Sequence, residues 1–89
     1  MKLINYYIKC ESIDFFIFTQ KYLFHHKHCW RDTKYNLFEI KGIFPLYIYS
    51  SDENNKFIYN SHPPYYNKHD ITIEILRKFK LEKLNKLKS

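Results

Sequence analysis

The chain has 89 residues with fifteen Lys/Arg against nine Asp/Glu, a formal charge of +6, and it contains no Ala, no Val and one Gly. That length supports a single domain with one modest core, and a 20% aromatic content excludes the disordered class, because aromatic side chains supply large buried areas. One glycine rules out a glycine-rich phosphate loop, and no apolar run approaches the roughly 20 residues of a membrane-spanning helix.

Apolar mass comes from Ile, Leu, Phe and Tyr, and polar mass from Lys, Asn and Ser. These residues share A/T-rich codons, which implies an AT-rich genome. The N-terminus, MKLINYYIKCE, has no continuous apolar centre and no small-residue cleavage site, so a cytoplasmic protein is expected. In that setting Cys10 and Cys29 are expected as free thiols. The charge is uneven. Residues 1–73 hold nine Lys/Arg and seven Asp/Glu, whereas residues 77–88 hold six and one. The excess is a basic C-terminal stretch, not a basic domain.

Residues 2–9, KLINYYIK, alternate as a strand, with Ile4, Tyr6 and Ile8 on one face and Tyr7 and Lys9 on the other. Ser12 is a good N-cap with Asp14 in the first turn, which predicts a helix from about 13 to 27. Ile13, Phe16, Ile17, Gln20, Leu23 and Phe24 form its core arc. A second stripe, Phe15, Phe18 and Tyr22, lies on roughly the opposite side. A helix apolar on two faces is buried twice. The second stripe is covered either by a tail folding over it or by a homodimer or partner interface.

That helix ends in FHHKHCW, residues 24–30. His25, His26, His28 and Cys29 raise the possibility of a metal, but zinc wants converging chelate pairs and these side chains fan over three directions. Polar and cationic groups at a helix C-terminus are favoured by the dipole. Neither a metal nor any other cofactor is expected, and the same residues offer no nucleophile–base pair, because adjacent helix residues diverge. The chain is therefore expected not to be an enzyme.

Residues 33–41, TKYNLFEIK, read as a second strand, 44–49, FPLYIY, as a third and 56–60, KFIYN, as a fourth, the last two pairing as a hairpin across the polar loop 50–55. Residues 61–69 are expected as a loop, since Pro63 and Pro64 cannot continue a ladder. Pro63-Pro64-Tyr65-Tyr66 matches the four-residue pattern that WW domains bind as a polyproline II segment, and equally serves as a proline-stiffened crossover. A last helix begins near residue 73, with Thr72 as its N-cap and an Ile71–Leu76 staple. Its end, RKFKLEKLNKLKS, is basic and amphipathic. It is either a solvated helix end or a nucleic-acid contact through Arg77, Lys78, Lys80, Lys83 and Lys86.

The order β-α-β-β-β-α implies an α+β fold with a mainly antiparallel four-stranded sheet and both helices on one face. If Leu46, Ile48 and Ile58 face the helices, the open face carries Tyr7, Lys9, Tyr47, Tyr49, Phe57 and Tyr59. Aromatics with a lysine on an open sheet match the character of base-stacking platforms, and tyrosines equally suit protein contacts. A stacked nucleotide would use Tyr47, Tyr49 or Tyr59, beside Tyr7, with Lys9 or Arg31 near phosphate.

The arrangement of HCW, KYNLFEI, FPLYIY, KFIYN and DITIEILRKF resembles small uncharacterised βαβββα accessory proteins of bacteriophages and large DNA viruses, over residues 2–80 as pattern and element order. The resemblance implies a viral accessory role by stoichiometric binding that inhibits a host defence system, with a host protein or a small nucleotide as target. It supplies no catalytic residues. A nucleic-acid-binding module and a structural homodimer are the alternatives.

Overall fold

The computed structural model describes residues 3–64 and 67–88. The sheet starts with β1 (Tyr6–Cys10), followed by α1 (Ile13–His25) and a two-residue strand, β2 (Cys29–Trp30). The chain then runs through β3 (Leu46–Ser50), β4 (Lys56–Asn60) and the two-residue β5 (His69–Asp70) into α2 (Thr72–Lys88). The α+β class follows the expectation, but the sheet has five strands in the order β2-β4-β3-β1-β5 and is mixed. Strand β3 is antiparallel to both β1 and β4, whereas the two short strands pair in parallel, β5 with β1 and β2 with β4.

Two expectations fail locally. Residues 33–41 form no strand: beyond one isolated bridge between Lys34 and Trp30, the segment is irregular up to β3. Its Phe38 backbone is instead held by a side chain, Gln20. The loop expected over 61–69 contributes His69 to β5, because the chain runs alongside β1 before α2, with the His69 and Ile71 amides donating to the Asn5 and Tyr7 carbonyls at 2.7 and 3.0 Å.

Helix α1 starts as expected, the Ser12 hydroxyl accepting from the Phe15 amide at 3.2 Å. Its fully buried residues are Phe15, Phe16, Thr19, Gln20 and Leu23. The buried arc thus lies between the two stripes read from the sequence, with Ile13, Ile17, Phe18 and Tyr22 half-buried at its margins. Helix α2 begins one residue earlier than Thr72 as a cap would allow. Its Thr72 amide is taken by the Asp70 carboxylate at 2.9 Å, and the Thr72 hydroxyl accepts from the Lys9 amide at 2.8 Å, tying the helix start to β1.

The helix-facing side of the sheet carries Tyr6, Ile8 and Cys10 from β1, Leu46 and Ile48 from β3, Phe57 from β4 and Trp30 from β2. The β3–β4 register pairs Ile48 with Tyr59 and Ser50 with Phe57. Paired residues share a face, so Phe57 and Tyr59 lie on the helix side and Ile58 on the open side, the reverse of the expectation. Phe57 is fully buried with its ring 4.4 Å from that of Trp30 and tilted against it, and Tyr59 meets Phe16 and Trp30 edge-on. Phe15, Phe16, Ile71 and Ile75 close the core from above.

Candidate functional site

The open face is built by strand alternation alone. Tyr7 and Lys9 on β1 stand opposite Tyr49 and Tyr47 on β3, and Tyr49 stands opposite Ile58 on β4. All five are half-buried, and the Tyr7 and Tyr47 rings are 6.4 Å apart. The Tyr49 hydroxyl accepts from the Asn60 amide group at 3.4 Å. The charges here balance: Lys9 pairs with Glu11 at 3.4 Å, and desolvation together with the Asp70 carboxylate beside it raises the Tyr7 phenol above its ordinary range. The face is aromatic but not cationic.

The sequence-derived ligand set therefore divides. Tyr7, Lys9, Tyr47 and Tyr49 are together. Tyr59 and Arg31 are not with them; they line a cleft of about 290 Å³ where β2 stops short and leaves the last residues of β4 as an edge. Trp30, Phe38 and Tyr49 also line it. Arg31 turns toward Asp32 at 3.4 Å, which offsets its charge.

The second stripe of α1 is taken up by α2. The Phe79 ring lies 5.4 Å from Phe15 and 5.1 Å from Phe18, and the Lys78 ammonium sits 5.8 Å over Tyr22. Of the two coverings expected, the folded-over tail accounts for Phe15, which is buried, while Phe18 and Tyr22 stay partly open. A groove of about 330 Å³ continues between Phe18, Phe79 and Lys86. The basic residues of α2 spread around the helix. Lys83 lies 4.4 Å over the Phe79 ring and Lys86 pairs with Glu82 at 3.3 Å, while Arg77 and Lys80 are exposed on the far side with Ile73, Leu81 and Leu84.

FHHKHCW is a helix stop of defined geometry. The His28 amide donates to the Leu23 carbonyl at 2.9 Å and the Lys27 amide to the Phe24 carbonyl at 3.0 Å, with Lys27 at φ 67°. This is the Schellman arrangement, with lysine in the left-handed position that glycine usually takes. His25 and His26 are exposed, whereas His28 turns inward and is buried. Among the described residues no three His, Cys, Asp or Glu side chains converge as metal ligands. Cys10 and Cys29 are free and buried. Burial pushes the Cys10 thiol up to about 12, and Cys29 accepts a 3.2 Å hydrogen bond from the Lys56 ammonium. Tyr65 and Tyr66 of the proline motif lie outside the described residues.

The turn that buries His28 creates a feature absent from the sequence reading. Tyr6 and His28 meet, hydroxyl to Nδ1, at 3.2 Å. Beside them the Lys68 ammonium donates to Ser50 Oγ and Asn5 Oδ1, both at 3.3 Å. His28, Lys68, Ser50 and Asn5 border a pocket of about 300 Å³ at the end of the sheet where β1, β3 and β4 meet, with Tyr6 buried behind His28. Nothing in the local sequence around any one of them announces it; the contacts join residues 18 to 63 positions apart.

No helix among the described residues is long and apolar enough to cross a membrane. No known protein family, no curated protein and no solved structure matches this chain.

Proposed function

We propose that the chain is a small non-catalytic binding protein that acts stoichiometrically on a partner protein through the open face of its sheet. The observation that carries this reading is the continuous, half-exposed set Tyr7, Tyr47, Tyr49 and Ile58 on the face turned away from both helices. Tyrosine is enriched at protein contacts because it offers a large rigid apolar area with a polar tip at low entropic cost. The charge balance favours a protein over a nucleotide: Glu11 offsets Lys9, and Asp70 stands beside Tyr7, so a phosphate stacked there would meet as much repulsion as attraction. In the viral setting that the sequence resemblance implies, the partner is a component of a host defence system and binding inhibits it.

The test compares wild type with Tyr47→Lys, whose added cation keeps the face soluble, and with Lys80→Glu on the far side of α2. A host protein that is recovered with wild type and Lys80→Glu, binds the purified chain at a fixed stoichiometry, and is lost with Tyr47→Lys supports the reading. Recovery unaffected by Tyr47→Lys removes the sheet face from it. If a nucleotide panel shifts tyrosine fluorescence of wild type and not of Tyr47→Lys, the stacking version stands instead.

A further inference from the structure

We infer that the pocket at the end of the sheet binds a small polar ligand through one singly charged oxyanion group, a phosphodiester or a carboxylate, held between the Lys68 ammonium and the His28 imidazole. This site is separate from the tyrosine face and does not depend on it. Its volume, about 300 Å³, is at the small end of ligand pockets.

The donors follow from the hydrogen bonds. The Tyr6 hydroxyl is fully buried and His28 Nδ1 is its one partner among the described residues, so its proton is satisfied only by donation to Nδ1. A neutral ring that accepts at Nδ1 must carry its hydrogen on Nε2. Nε2 has no partner in the protein among the described residues, and no fully buried side-chain nitrogen there is left without one. It is therefore the ring atom that reaches solvent, and the ring borders this pocket. Lys68 commits two of its three ammonium hydrogens, to Asn5 and Ser50, and keeps the third. Both anchors are themselves fixed. Ser50 Oγ accepts from the Tyr6 amide at 3.1 Å, and Asn5, in the left-handed region at φ 52°, donates to the Asn67 carbonyl at 3.0 Å. A preorganised ammonium beside an oriented N–H is the arrangement that charge-assisted recognition of an oxyanion requires.

Charge limits the ligand. Lys56 and Lys68 border the pocket together with Asp52 and Glu53, so one added negative group is matched by Lys68 while further charge meets the two carboxylates. A polyphosphate is disfavoured.

The experiment is a titration of nitrogen-15-labelled protein, read at the His28 ring nitrogens by long-range proton–nitrogen NMR. The probes are a cyclic nucleoside monophosphate, dimethyl phosphate, acetate and inorganic diphosphate. A saturable shift of Nε2 with a phosphodiester or with acetate is expected, and whichever saturates first identifies the group. Lys68→Met is expected to weaken it by about tenfold, the loss of one charge-assisted hydrogen bond, with Lys83→Met as an unaffected control. Asn5→Asp, which tolerates the same backbone conformation and places a carboxylate against Lys68, is expected to weaken it as well. The inference is overturned if no probe shifts His28 saturably, if diphosphate binds most tightly, or if both variants bind like wild type while retaining wild-type amide spectra.

Discussion

The Gln20 side chain pairs with the backbone of Phe38 in both directions: its Nε2 donates to the Phe38 carbonyl at 2.7 Å and its Oε1 accepts from the Phe38 amide at 2.7 Å. The same Oε1 accepts from the Trp30 indole at 3.2 Å. A fully buried glutamine on α1 thus does for the segment after β2 what a neighbouring strand would do, and it fixes Trp30 in the core. Gln20→Leu preserves volume but leaves three polar groups without partners. Each costs about 1–3 kcal/mol if it stays buried. Because Phe38 is only half-buried, the segment is expected to open to water, holding the total near 3 kcal/mol. Denaturant melts measure the loss, and the Phe38 amide should lose its protection from hydrogen exchange. Unchanged protection at Phe38 would remove the pin from the account.

That pairing also explains what the sequence could and could not disclose. The alternation in TKYNLFEIK is that of any extended chain, and an extended chain held by one side chain carries the same pattern as a strand held by a ladder. The β3–β4 hairpin and α1 were legible because each has a local signal: a polar turn between two apolar runs, and a serine cap followed by helical spacing. The faces of β4 were not, since KFIYN places an apolar residue on either side and only the length of the turn decides between them. Two-residue strands such as β2 and β5 have no periodicity at all. The Tyr6–His28 and Lys68–Ser50 contacts are products of topology, which brings distant segments to one end of the sheet.

Lys27 occupies the left-handed position of the α1 stop at φ 67°, where a β-carbon costs roughly 1–2 kcal/mol. Lys27→Gly relieves that strain and loses part of the gain to the greater freedom of the unfolded chain. The expected net stabilisation is about 0.5–1 kcal/mol, which for a domain of this size raises Tm by roughly 4 °C. A thermal melt decides it, and a lower Tm would contradict the stop geometry.

Phe79 joins α2 to the rest of the molecule by packing on Phe15 and Phe18. A fully buried Phe→Ala costs about 3–5 kcal/mol; Phe79 is half-buried, so Phe79→Ala is expected to cost about 2 kcal/mol by the same rule. Phe18→Asp at the other side of this contact is expected to lower stability without changing the mass of the particle in solution. A dimer in wild type that dissociates with Phe18→Asp would instead assign the open part of this stripe to self-association.

His28 gives stability a pH dependence of known sign. Desolvation, and after it the nearby His26, hold its pKa below the ordinary histidine value. In the folded state the ring resists protonation, whereas in the unfolded chain it takes up a proton as pH falls through about 6.5. Between those two values the unfolded chain binds more protons, so stability rises with pH there. The contribution is complete above the unfolded value and is lost on acidification toward the folded one, where the imidazolium would also lose Nδ1 as the acceptor for Tyr6. His28→Gln keeps an acceptor for the Tyr6 hydroxyl but does not titrate. The fall in Tm between neutral pH and pH about 5 is therefore expected to be shallower in this variant than in wild type. Parallel slopes for wild type and His28→Gln would show that the ring titrates as freely folded as unfolded, contrary to its burial against Tyr6.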